Sequence, residues 1–467
     1  MSLRASLLSV LGVFTPLIPF FGGTALAQDL TPKAPPQSRP VAIINATVHP
    51  VSSPAIDNGF IFFDRGEISG IGAVGTIDPG KLTAEGWTVI DAKGKHVYPG
   101  LFAPYTQLGL IEIAAVRATL DMGEVGPATP ETRAVVAVNP DSTLMPVARS
   151  NGVLLAGVFP ETNSRNLISY FGGPGGLVPG RAGVIRLDGW TWENMTISDD
   201  AGLVIDWPQA RPVAAWWMDK TEAEQQKDID RAVRIIDDLV TNARIYAAAR
   251  KADPPAPADI RLEAMRALFE EGAARRPVFI HATEYDQIQQ AVTFANRHGL
   301  KCVIVGGRDA PLCADLLKRH NVAVIIPGTV SFPKRDDQPY DDAFTLPKRL
   351  DDTGVTWCLG SGEEAAHERN LPYAAAMAVA FGLDHEKALR SITLAPAEIL
   401  GVNGKYGSID AGKSATVFIA DGDILEVSTN VERAFIDGRE IVLSDKQKVL
   451  DWKYREKYKQ QQMKGAK

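Results

Sequence analysis

Cysteine is scarce: Cys302, Cys313 and Cys358 are the only three in 467 residues, and none belongs to a Cys-x-x-Cys pair. An odd count argues against a disulfide framework, even in an oxidising compartment. Cys302 and Cys358 lie in apolar strand-like runs and read as small buried core residues, while a bridge from Cys302 to Cys313 stays open. Two catalytic signatures are also missing. No Gly-x-Ser-x-Gly elbow occurs, and no Gly-rich nucleotide fingerprint follows a strand, so triad hydrolysis and dinucleotide chemistry lack their motifs. The glycine-dense stretch from Phe171 to Arg181 lacks a Gly-Lys-Ser/Thr ending and reads as a mouth loop, not a phosphate cradle. Positive charge is not in excess either. A formal net charge of −7 gives the chain no electrostatic appetite for nucleic acid.

Beyond residue 27 no apolar run approaches bilayer-spanning length. The first 27 residues read as a removable export signal: Arg4 is the positive start, Leu7–Phe21 an apolar stretch broken by Gly12, Pro16 and Pro19, and Ala25-Leu26-Ala27 a small-x-small cleavage site. The expectation is a secreted or periplasmic protein with no membrane span after signal removal. What remains is 45% hydrophobic over the whole chain, enough for a large core, and long enough for one large domain with an appendage or for two to three domains.

Strand-like pieces open the chain at Val41–Val48, Gly59–Arg65, Glu67–Ile71 and Thr88–Ile90. Others close it at Thr416–Ala420, Val431–Ile436 and Arg439–Leu443, with Asp437-Gly438 as a tight turn. Neither end makes a stable sheet alone, so the two are expected to pack as one β unit around an inserted middle. The middle alternates. Pro277–His281, Lys301–Val305, Val322–Ile326 and Val355–Leu359 read as strands, and Asp286–His298, Ala310–Arg319 and Leu371–Phe381 as helices. Such steps call for a parallel sheet covered by helices. Asp219–Gly272 reads as a charged surface insertion or outer helices, with a Pro-rich break at Asp253–Pro257. The aromatic group Trp190, Trp192, Trp207, Trp216 and Trp217 reads first as packing helices and loops onto that sheet, with a binding wall as the alternative.

Two motifs carry a family resemblance: VIDAKGKHVYPGL at Val89–Leu101, and Leu389–Ile441 with its T-x-x-P-A-x-I-L-G and G-S-I-x-x-G-K-x-A elements. From about Val41 to Val442 the chain resembles an amidohydrolase of the imidazolonepropionase-like kind. The resemblance implies an α/β fold, a TIM-like (β/α)8 barrel with a small β-sandwich domain formed by both chain ends. It implies a composite β domain of 41–98 with 402–450 and a barrel at 99–401; composition adds the signal at 1–27, a flexible lead at 28–40 and a basic tail at 451–467. It implies as chemistry the metal-activated hydrolysis of carbon-nitrogen bonds other than peptide bonds.

The ligand positions of that chemistry are where the chain departs. A His-x-His pair on the first strand reaches one ion because alternate residues project to one side; here Tyr105 and Gln107 occupy those places, and both are weak zinc ligands. The fifth-strand histidine survives as His281. The sixth-strand position offers Gly306 and Gly307, and after the eighth strand Ser361, Gly362 and Glu363 stand where an aspartate belongs. The strand-four ligand that the resemblance implies, a carboxylated lysine or a glutamate, has no clear counterpart in the sequence. One imidazole cannot hold zinc, since open catalytic sites use three protein ligands. The expectation is therefore a pocket of Tyr105, Gln107, His281, Glu284, Ser361 and Glu363 without a cofactor. It would take a small-molecule ligand or pair, as a homo- or hetero-oligomer, with an intact related amidohydrolase. The alternative is an active hydrolase of cyclic or linear amides, with zinc or another divalent metal in a site rebuilt from His281, Glu284, Glu363, Glu364 and His367, and with Glu363 or Glu364 as base.

Overall fold

The computed structural model describes residues 28–73, 75, 77–161, 176–214, 218–253, 257–362 and 364–465. The expected export signal, Glu363, Trp216, Trp217 and most of the glycine-dense loop thus lie outside the described residues. In chain order, β1 (Val41–Val48), β2 (Ile56–Asp64), β3 (Glu67–Ala73), β4 (Thr88–Asp91) and β5 (His96–Pro99) come first. Then follow β6 (Leu101–Thr106), β7 (Val153–Val158), β8 (Gly180–Arg186), β9 (Thr196–Asp206), β10 (Val278–Ala282), β11 (Cys302–Gly306), β12 (Ala323–Ile326) and β13 (Trp357–Leu359). The strands β14 (Val417–Ala420), β15 (Val431–Ile436) and β16 (Arg439–Ile441) close the series.

The strands β6 to β13 form one eight-stranded sheet in sequential order, curled into a nearly closed barrel. Its interior is packed by alternate residues: Phe102, Phe159, Val204, Phe279, Val303, Ile325 and Cys358 form one buried cluster. One strand breaks the expected all-parallel arrangement. β8 runs antiparallel to both β7 and β9, so its first residue, Gly180, lies at the same end as the last residues of its neighbours. The three cysteines are free and buried, and burial pushes the Cys302 thiol up to about 12.

The other sheet joins the two chain ends in the order β16-β15-β14-β5-β1-β2-β3, with β4 on β1. The join is the antiparallel pairing of β14 with β5, Val417 opposite Pro99 and Ala420 opposite His96. Phe63 of β2 and Phe435 of β15 are far apart in strand order, yet their rings meet edge to face at 5.2 Å. The sheet therefore folds over on itself around Val41, Ile43, Phe63, Ile68, Val97, Ile419 and Phe435. Asp437 and Gly438 both take positive φ (48° and 72°), the turn that links β15 to β16 as a two-residue hairpin.

The lead departs from the expectation of a flexible segment. Asp29 and Lys33 are buried and paired with each other, the Asp29 amide donates to Asp141 O at 2.7 Å, and Gln37 accepts from the Gly66 amide at 2.8 Å. A charged residue enters an interior only with partners, and here the barrel supplies them.

Between sheet and barrel lies a histidine cluster. His49 stacks on Tyr98 at 4.3 Å, and its Nε2 is 2.9 Å from His96 Nδ1; nearby, His385 Nε2 is 2.7 Å from the Asp423 carboxylate. Burial, helped by the neighbouring His96, pulls His49 down to about 4 from the usual 6.5. The unfolded chain then takes up this proton first as pH falls. Stability from His49 is complete above about 6.5, drains away below it, and is gone beneath about 4, a total on the order of 3 kcal/mol. Urea unfolding at pH 7 and pH 4.5 should show a steeper acid loss in the native protein than in His49→Phe, which keeps the stack and removes the titration. Equal slopes would refute this.

Candidate functional site at the barrel mouth

The alternation that fills the barrel also aims two polar residues into its mouth. Val204 and Phe279 point inward, so Asp206 and His281, two residues further along adjacent strands, do the same. They are register partners in the parallel pair β9 and β10. The His281 Nδ1 and the Asp206 carboxylate are hydrogen-bonded, and the histidine is only 7% exposed. Such a carboxylate fixes ring orientation and tautomer. Tyr105, at the end of β6, presents its ring edge-on to His281 at 5.4 Å and leans on Phe159 at 5.0 Å. Phe159 in turn meets Phe279 below. The floor of the mouth is thus aromatic, with one acid-imidazole pair at its side.

The remaining expected residues separate into two groups. Gln107 follows Tyr105 and is half-buried, with its amide nitrogen buried and without a hydrogen-bond partner. Ser361 is buried just past β13. Glu284, by contrast, is exposed at the N-cap of the helix Tyr285–Arg297 and makes no side-chain capping bond. Glu364 and His367 are exposed on the 3-10 turn Ala365–Asn370, joined by a backbone bond from the His367 amide to Glu364 O at 2.7 Å. Glu363 lies outside the described residues.

Asp206 escaped the sequence reading. Its only signal was a carboxylate ending the apolar run Leu203-Val204-Ile205, in a strand whose first half, Thr-Ile-Ser-Asp-Asp-Ala-Gly, does not look like one. It is the fourth barrel strand, and it ends in an aspartate, neither the carboxylated lysine nor the glutamate of the expectation.

At the end of β11 the backbone turns left-handed. Gly306 and Gly307 take φ of +115° and +61°, where an L side chain is strained. A Cβ on Gly306 would come within 2.8 Å of Thr283 Oγ1 and 2.9 Å of Ala282 O; on Gly307 it would come within 2.5 Å of Val324 Cγ1.

The profile of the Amidohydrolase family matches residues 217–441. The matched segment, just under half of the chain, is similar to that family. Amidohydrolase tasK of Hapsidospora irregularis is 24% identical over 404 residues, which cover 81% of this chain and 39% of that protein. The chain therefore spans about two fifths of that relative's length. A solved amidohydrolase from Thermotoga maritima MSB8 superposes with a TM-score of 0.72 at 22% identity, covering 86% of this chain and 99% of the other. Molinate hydrolase is similar at a TM-score of 0.52 and 15% identity, covering 87% and 95%. At these identities the likeness speaks for the fold.

Amidohydrolases usually hold a divalent metal at this mouth. Here the donor set fits it poorly. Among the described residues Asp206 and His281 are the conventional ligands at the strand ends, and they are bonded to each other; a phenol, an amide and two glycines occupy the other places. No group of three His, Cys, Asp or Glu able to hold an ion occurs among the described residues. An open zinc site needs three such ligands.

Proposed function

We propose that this is an exported amidohydrolase whose barrel mouth has given up metal-dependent hydrolysis and binds a small ligand, or pairs with a relative that keeps its metal ligands. The observation that carries this reading is the backbone at Gly306 and Gly307. A ligand lost by simple substitution leaves a strand end that would accept the histidine back, whereas here positive φ and contacts under 3 Å close the position to any side chain. Tyr105 and Gln107 add an aromatic wall and an amide donor suited to a neutral polar ring. A cyclic or linear amide is the matching ligand class, in keeping with the imidazolonepropionase-like motifs. The length of the curated relative, more than twice the matched segment, supports the view that such a unit works beside another.

The Asp206–His281 pair favours a second reading, an active hydrolase of non-peptide carbon-nitrogen bonds. A carboxylate on one ring nitrogen raises the basicity of the imidazole, as a general base requires. One preparation tests both. Protein purified without chelator should contain far less than one metal ion per chain by mass spectrometry and leave a panel of linear and cyclic amides intact. Stoichiometric zinc with amide turnover overturns the first reading. Turnover without metal that is abolished in both His281→Ala and Asp206→Asn establishes the second.

A further inference from the structure

Among the described residues, nothing covers the last described helix, Lys446–Gly465, beyond its first turn. Every side chain from 446 to 463 is exposed or half-exposed, including Trp452 at 70%, Tyr458 at 57% and Val449 at 53%. From Lys446 to the end the sequence carries seven lysines and Arg455 against Asp451 and Glu456, in a chain whose total is −7. Arg455 already neutralises Asp451 at 2.7 Å. Exposed aromatics and a dense basic charge thus coincide on one uncovered element.

Their arrangement decides what fits. Lys446, Lys453 and Lys457 fall on one stripe of the helix by its 3.6-residue period. Leu450, Tyr454 and Tyr458 flank that stripe on one side, and Val449, Trp452 and Met463 on the other. Lys457 lies 5.6 Å from the Tyr454 ring and 5.9 Å from that of Tyr458. A helix that docks in a protein groove presents one continuous apolar stripe. Here a row of ammonium groups divides the apolar residues, and burying that row would strand three charges. A charged interface that accepts rings and ammonium groups together has no such conflict: tryptophan and tyrosine favour the headgroup level of a bilayer, and lysine stems lie along its apolar edge with their heads in water.

We propose that this helix is a docking surface for an anionic lipid bilayer, lying along the headgroups with lysines at the phosphates and rings at the acyl boundary. It lies on the membrane, because no helix among the described residues is long and apolar enough to cross one. The inference stands whichever ligand the barrel takes.

Co-sedimentation of the full chain with phosphatidylcholine vesicles, with and without phosphatidylglycerol, tests it. Binding should be at least about tenfold stronger to the anionic vesicles, weaken with salt, and shift Trp emission to the blue. Lys446→Gln, Lys453→Gln and Lys457→Gln combined should weaken it on the order of a hundredfold, since each lysine contributes roughly 1 kcal/mol. A chain ending at Asp445 should lose it. Equal binding to neutral vesicles, no binding to either kind, or binding that survives truncation overturns the proposal. So does a tail that holds two copies together or retains duplex DNA while ignoring vesicles.

Discussion

Arg149→Met should destabilise the protein by about 3–5 kcal/mol, the cost of leaving a buried ionic cluster without its central cation. The Arg149 side chain is 3% exposed; its Nη2 is 3.0 Å from Asp29 Oδ2, and its Nη1 donates to Leu187 O at 2.9 Å and faces Asp188 at 3.7 Å. Lys33 lies 3.3 Å from Asp29, and Arg439 lies 3.0 Å from Asp188 and 3.3 Å from Ala34 O. One cluster thus ties the lead, the barrel and β16 together. Burial alone would raise the Asp29 carboxyl; the hydrogen bond from Thr31 and the charges of Arg149 and Lys33 more than reverse this and hold it below the usual range. Without Arg149, Asp29 takes up a proton more readily in the folded chain, so the deficit relative to the native protein should shrink as pH falls. Urea unfolding measures the effect, and a loss under about 1 kcal/mol would show that water reaches the cluster.

Gly328→Ala is expected to cost more than about 2 kcal/mol by overpacking. A Cβ there would be 2.2 Å from Gly362 Cα and 2.5 Å from Gly362 N. These are backbone atoms and cannot rotate away. The segments after β12 and β13 must part, carrying Ser361 and the rim of the mouth with them. Gly404→Ala, which meets nothing within 4 Å, should stay within about 0.5 kcal/mol and serves as the control. Thermal melts of the two variants side by side give the comparison.

Much of the fold was legible because its strands are bounded by turn residues and rich in β-branched side chains. Val41–Val48 was read to the residue, Pro277–His281 and Lys301–Val305 each one residue early, and the Asp437-Gly438 hairpin by its turn chemistry. The stretch from Gly180 to Asp206 was not read. β8 and β9 carry Gly, Asp and Arg at positions where a propensity argument expects apolar residues, and periodicity does not tell a parallel strand from an antiparallel one. Asp206 went unseen with them. At the site, Tyr105 and His281 stand at motif positions and do meet, while Glu284 lies exposed at a helix cap. Residue type could not foretell a left-handed backbone at Gly306.

The pairing of β14 with β5 sets an order of assembly. β5 has β1 on one edge and can obtain its other neighbour only from residues 417–420, more than three hundred positions later in the chain. Emerging from its amino end, the chain carries a half-finished sheet with an open edge until almost all of the polypeptide has been made. That delay predisposes fragments ending short of Val417 to stick to one another along the waiting edge.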